Sequence, residues 1–133
     1  MSEIHSYMSH QKIRKVKNRP EQDLQIQCVT WFRYQYPSEI LIHIPNGGKR
    51  SKVEAARFKE MGVLAGFPDL ALFRKSNQYG ALFIEMKASA KHETSDSQAS
   101  MINSLNTLGY KAVVVSDFET FRRVVNDYLR KQF

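Results

Sequence analysis

The stretch "ALFIEMK", residues 81 to 87, constrains the architecture more than any other. Alternate residues of a strand share a face, so Phe83, Glu85 and Lys87 point one way and Leu82, Ile84 and Met86 the other. Both faces begin apolar. Such a strand needs cover on both sides, which calls for a sheet with helices packed on its two surfaces. Glu85 and Lys87 then fall at or near the covered edge. Holding an ion there costs several kcal/mol unless it is paired or binds a metal. Residues i and i+2 of a regular strand lie roughly 6 to 7 Å apart, too far for a tight direct contact, so something should sit between them.

The remaining periodicities supply the helices and the other strands. Pro20 suits the first turn of a helix. From Glu21 to Tyr36 residues recur at helical spacing, with Glu21, Leu24, Gln25, Cys28 and Phe32 on one side and Trp31 at its edge. Pro37 ends the run. Ile40 to Ile44 reads as a short strand and Asn46-Gly47-Gly48 as a turn. Ser51 and Glu54 form a capping-box pattern that opens a helix through about Met61. Asp69 to Phe73 is a strand, joined by "RKSNQYG" to the 81–87 strand as an antiparallel hairpin. A turn centred near Asn77 and Gln78 places Asp69 opposite Met86 or Lys87. A helix from about Ser97 carries Met101, Ile102, Leu105 and Leu108 on its stripe, and Gly109 ends it. "KAVVV" is a buried strand. Ser116 and Glu119 suggest a second capping box, before a last helix with Phe121, Val124, Val125, Tyr128 and Leu129 inward. The order α-β-α-β-β-α-β-α predicts an α/β fold, a mixed sheet flanked by helices.

At 133 residues the chain fits one domain with a single core, taken here as residues 20–133 behind a basic arm, residues 1–19. The formal charge of +7 points to a polyanionic partner, nucleic acid or a membrane surface, or else serves solubility. No apolar run approaches the ~18 residues of a membrane span. The N-terminus lacks the apolar centre of a signal peptide. Cys28 is the only cysteine, which excludes an internal disulfide and disfavours a cysteine-based zinc site. These features suggest an intracellular, cytoplasmic protein. Lys12, Arg14, Lys15, Lys17 and Arg19 make the arm either a phosphate contact or a solvated tail. "PNGGKRS" lacks the ending of a nucleotide-binding P-loop. Its backbone N–H groups, the next helix N-terminus, Lys49, Arg50 and Lys52 can still hold a phosphate; the alternative is a turn and a solvated basic helix.

The polar residues on apolar faces are the most informative. Asp69 and Glu85 bring two carboxylates together with Lys87 beside them. Hard oxygen ligands with room for waters suit Mg²⁺ or Mn²⁺, and the alternative is a salt-bridged hairpin end. Glu21 sits on the apolar side of its helix, or serves as a favourable first-turn acid. Gln98 aligns with Met101, Ile102 and Leu105, or is the N3 member of a capping box with Ser95. The four histidines show no ligand spacing, and His43 is either a cleft residue or a satisfied core or rim histidine.

Together these residues resemble the PD-(D/E)xK nuclease signature: Pro68-Asp69, then Glu85-x-Lys87. The likeness is closer still to the VRR-NUC branch, in particular its small stand-alone phage and bacterial type. It includes a helix-borne Glu21, "PNGG" (Pro45 to Gly48), "GxPDL" (Gly66 to Leu70), "ExK" and a later Gln98. The resemblance implies a restriction-endonuclease-like fold and a metal-dependent DNA endonuclease. Asp69, Glu85 and the Met86 carbonyl would bind Mg²⁺ or Mn²⁺, with Glu21 supporting the site directly or through water. Lys87 would orient or deprotonate the attacking water, and Gln98 would hold Lys87 or the phosphate. DNA-backbone contacts would come from Lys12, Arg14, Lys15 and Lys17 of the arm, from Asn46, Gly47, Gly48 and Lys49, and from Arg50, Lys52 and Arg57. The type further suggests a homodimer acting on branched DNA such as a four-way junction, its symmetry matching the substrate's. The rival reading is a non-catalytic, basic nucleic-acid-binding protein with a nuclease-like fold.

Overall fold

A four-stranded sheet in the order β1-β2-β3-β4 organises the chain. It is seen in a computed structural model that describes residues 19–45 and 50–131. The elements are α1 (Pro20–Gln35), β1 (Leu41–His43), α2 (Lys52–Glu60), β2 (Leu70–Leu72), β3 (Leu82–Met86), α3 (Asp96–Thr107), β4 (Lys111–Val115) and α4 (Phe118–Leu129). Their order is the one the periodicities predict. β1, β2 and β3 are antiparallel neighbours, and β4 runs parallel to β3 after the α3 crossover. The expected basic arm lies outside the described residues apart from Arg19.

β3 is the hub, buried on both faces. Leu82, Ile84 and Met86 share a core with Cys28 and Phe32 of α1 and with Phe121, Val125 and Tyr128 of α4. Phe83 faces the other way, into a smaller cluster with Ala71, Ala112 and Leu105, backed by Met101 and Ile102 of α3. The sheet is therefore sandwiched, and α3 covers the face that carries Glu85 and Lys87. Cys28 is a core residue whose burial pushes its thiol up to about 12, an unreactive state at neutral pH.

Four local expectations need correction. The hairpin register is displaced: Leu72 pairs with Leu82, whereas Ser76 bridges Tyr79 at the tip. Phe73, Arg74 and Lys75 thus face only Gly80 and Ala81, and this one extra residue behaves as a bulge. Extending the strand register by one pair sets Asp69 opposite Glu85, rather than Met86 or Lys87. Leu108 is 73% exposed because α3 ends at Thr107 and its stripe stops at Leu105. β4 is an edge strand with Val114 40% exposed, so "KAVVV" is only part-buried. The last helix is capped by Asp117, not by Ser116 with Glu119. Asp117 takes both the N–H and the hydroxyl of Thr120 at 2.8 Å, two donors where a serine Oγ would hold one.

α2 stands apart. Ser51 caps it by accepting the Glu54 N–H at 3.1 Å, yet no residue of the helix is buried. Among the described residues no helix is long and apolar enough to cross a membrane.

Candidate active site

The site forms where β2 starts and β3 ends. Directly opposite residues of an antiparallel pair share a face, so the displaced register turns Asp69 and Glu85 toward the same side. In a strand the N–H and C=O of one residue point to the same edge. Lys87 donates its N–H to Val115 of β4 at 2.9 Å, so Met86 presents its own N–H and C=O toward β2. The next β2-side partner in register is Pro68, which has no N–H. The Met86 N–H is taken instead by the Asp69 side chain, whose Oδ2 accepts it at 2.8 Å. The proline therefore leaves the Met86 carbonyl without its ladder donor, while the neighbouring carboxylate takes the Met86 N–H.

Glu85 is 3% exposed and Lys87 9%. The Gln98 amide lies between them, donating Nε2–H to Glu85 Oε1 at 2.9 Å and accepting from Lys87 Nζ at 2.6 Å. The lysine reaches to within 3.8 Å of Glu85 Oε1. The spacer that the strand geometry calls for is thus a side chain of α3. Gln98 also completes a capping box, with its N–H donating to Ser95 Oγ at 3.2 Å and its Oε1 accepting the Ser95 N–H at 3.0 Å. The two readings open for Gln98 both hold, because the helix start and the buried ion pair are anchored by the same amide.

Glu85 Oε2 is the one buried side-chain polar atom without a hydrogen-bond partner among the described residues. Burial, then the charge of Asp69, push the Glu85 carboxyl up to about 8, while Lys87 pulls the other way. When Glu85 holds a proton it can share it with Asp69; once ionised, Oε2 has no donor. Two carboxylates and a main-chain carbonyl at one strand end could hold a hard divalent cation, with waters completing its shell.

Glu21 and His43 lie at the rim. A cleft of about 430 Å³ is lined by Glu21, Gln22, Gln25, Ile26, His43, Pro45 and Asp69. Partial burial and the nearby Asp69 raise the Glu21 carboxyl, and Lys87 and His92 oppose this. Glu21 is exposed at the helix start rather than on the buried stripe. Among the described residues it does not close a three-side-chain ligand cluster with Asp69 and Glu85. His43 Nδ1 is 2.9 Å from the Asp69 carbonyl oxygen, which also accepts the Ile44 N–H at 2.8 Å. Gln25 Nε2 approaches the same His43 Nδ1 at 3.1 Å, so the ring ties the α1 amide to the Asp69 carbonyl. His43 is therefore a cleft residue that braces the Asp69 peptide.

Gly66 joins the two halves of the site. With φ +75°, a Cβ built on it would come 2.5 Å from the Ser97 carbonyl carbon and 2.6 Å from the Gln98 nitrogen. Only glycine lets the segment leading to Asp69 lie directly on the first turn of α3.

The expected DNA contacts are not gathered here. Arg50 stacks over the Phe58 ring at 4.1 Å, and Lys52 and Arg57 are exposed on α2. Lys12, Arg14, Lys15, Lys17, Asn46, Gly47, Gly48 and Lys49 lie outside the described residues.

Comparison with known proteins then decides the family. The VRR-NUC domain matches residues 9–117, most of the chain. The chain belongs to the VRR-NUC family. A solved structure, a VRR_NUC domain protein, is 28% identical with a TM-score of 0.71, over 86% of this chain and 92% of that one. No curated protein matches. The family is a nuclease family, and the VRR-NUC match spans Glu21, Asp69, Glu85, Lys87 and Gln98 together. Within this VRR-NUC domain, Gly66 and His43 are the positions whose roles were least visible beforehand. The glycine beside "PDL" was a signal for the first. For His43 only its place at the end of "LIH" hinted at a site.

Proposed function

We propose that the chain is a Mg²⁺- or Mn²⁺-dependent endonuclease that hydrolyses DNA phosphodiester bonds, selects branched DNA and works as a homodimer. The observation that carries this reading is the buried, donorless Glu85 Oε2 facing Asp69. Asp69, Glu85 and the Met86 carbonyl would hold the cation. When bound, the ion would stabilise charge developing on the phosphate and make its water more acidic. Lys87, fixed by Gln98, orients or deprotonates the water and offsets phosphate charge. Gln98 keeps Lys87 and Glu85 from collapsing into a closed ion pair. Glu21 closes the rim of the site. The water oxygen attacks phosphorus as the opposite P–O bond breaks, and the leaving oxygen takes a proton.

Arg50, Lys52 and Arg57, with the overall +7 charge, supply backbone contacts. α4 and the apolar side of α1 are taken up by the core, which leaves them out of the proposed dimer surface. The exposed apolar residues Val53 (72%), Met61 (73%) and Leu64 (55%) offer a surface on the α2 side instead.

A panel of labelled duplex, flap and four-way-junction DNA tests substrate choice, and sedimentation reports the dimer. The junction is expected to be cut fastest; equal rates on plain duplex would remove the structure selectivity, and tight binding with no cutting would favour the binding-module reading. The carboxyl chemistry also fixes a pH dependence. A cation must displace the proton of Glu85, raised to about 8, so cation affinity rises with pH up to that value. Mn²⁺ is expected to raise the thermal midpoint more at about pH 8 than at about pH 6. Equal shifts at both would place the ion away from Glu85.

A further inference from the structure

The cleft beside Asp69 has a composition that backbone binding does not explain. Its lining holds two acids, Glu21 and Asp69, and no lysine or arginine. With Asp69 committed to a cation and Lys87 reaching Glu21 only from behind the lining, the rest of the cleft offers a DNA phosphate no basic side chain of its own. The remaining lining is the amides of Gln22 and Gln25, the ring of His43, and the apolar Pro45 and Ile26; Gln25 Nε2 meets His43 and Gln22 Oε1 accepts from Arg19, which leaves the Gln25 oxygen and the Gln22 NH2 for a ligand. Ile26 is 63% exposed, an aliphatic side chain held in water one helical turn from the site. Gln22, Gln25 and Ile26 share one face of α1 at helical spacing. Amides match the donor and acceptor edges of bases, and flat or apolar side chains match their faces. At about 430 Å³ the cleft falls within the roughly 300–1,000 Å³ of small-molecule sites.

We propose that this cleft receives an unpaired nucleobase next to the scissile phosphate, with Ile26 as the wedge against its face and Gln22 and Gln25 at its edge. The inference rests on the nuclease reading and supplies its selectivity. A base in a stacked duplex must be pulled out to enter, whereas a branch point already offers bases with weakened pairing. Junction preference then arises from the cleft.

The test uses the full chain carrying Asp69→Asn, bound at saturation to a four-way junction with 2-aminopurine placed in turn at each nucleotide flanking the branch. Fluorescence of the probe is expected to rise several-fold at one flanking position. Adding Ile26→Ala is expected to abolish that rise and to weaken binding about tenfold, the scale of one lost base contact. Ile26 is exposed, so this change leaves folding intact, as circular dichroism will show. Failure to bind the junction, fluorescence unchanged at every position, or a full rise with Ile26→Ala would overturn the proposal. The nuclease reading fails separately, if wild-type protein with Mg²⁺ leaves all DNA uncut.

Discussion

Asp69→Asn is expected to abolish DNA cleavage, by about 10³-fold or more, while DNA binding survives. The substitution is nearly isosteric. An Asn oxygen can still accept the Met86 N–H that Asp69 Oδ2 takes at 2.8 Å, so the strand end keeps its shape. What is lost is the negative charge next to Glu85, and with it one of the two carboxylates able to hold a cation. Binding should persist because the proposed backbone contacts are Arg50, Lys52 and Arg57 rather than this carboxylate. Gel-shift and cleavage assays on the same labelled DNA measure the two properties side by side. Cleavage at the wild-type rate would remove Asp69 from the site. Loss of binding along with cleavage would show that the carboxylate serves the fold.

Glu85→Gln is expected to make the metal-free protein more stable and inactive at once. Glu85 is buried, with its carboxyl raised to about 8 from 4.5. A carboxyl with a raised native value binds more protons folded than unfolded between those values. Its ionisation therefore lowers stability as pH climbs from 4.5 toward 8. Gln removes that cost and can donate to Asp69. The gain over wild type should be small at about pH 5 and reach on the order of 2–4 kcal/mol at about pH 9. Urea unfolding with EDTA present measures it. A variant that is less stable at both pH values would mean that the Lys87–Gln98–Glu85 chain stabilises the fold more than the buried charge costs. This trade of stability for chemistry is common where a site stores an unfavourable charge.

Much of this was legible in the residues because the signals are local. The 2-residue period of "ALFIEMK" gave Glu85 and Lys87 a common face, and the capping pattern at Ser95 located Gln98 on the first turn of α3. Pro68 could be placed beside Asp69, but its effect on the Met86 carbonyl depends on which strand edge faces which. The one-residue bulge at 73–75 displaces that register, and no periodicity reports such a feature of the turn. The periodicity that puts Leu108 on a buried stripe extends past a helix end that only the chain's tertiary path fixes. Gly66 shows the same limit. Its contact with Ser97 and Gln98 joins positions 31 and 32 residues apart, and nothing short of the packed structure reveals it.

The central claim is that Asp69 and Glu85 make a cation-dependent hydrolytic site. Incubating purified wild-type and Glu85→Gln protein with end-labelled four-way-junction DNA, in Mg²⁺ or in EDTA, tests it most directly. Strand scission is expected from wild type in Mg²⁺ alone, and none from Glu85→Gln in either. Scission by wild type in EDTA, or scission by Glu85→Gln at the wild-type rate, would contradict it.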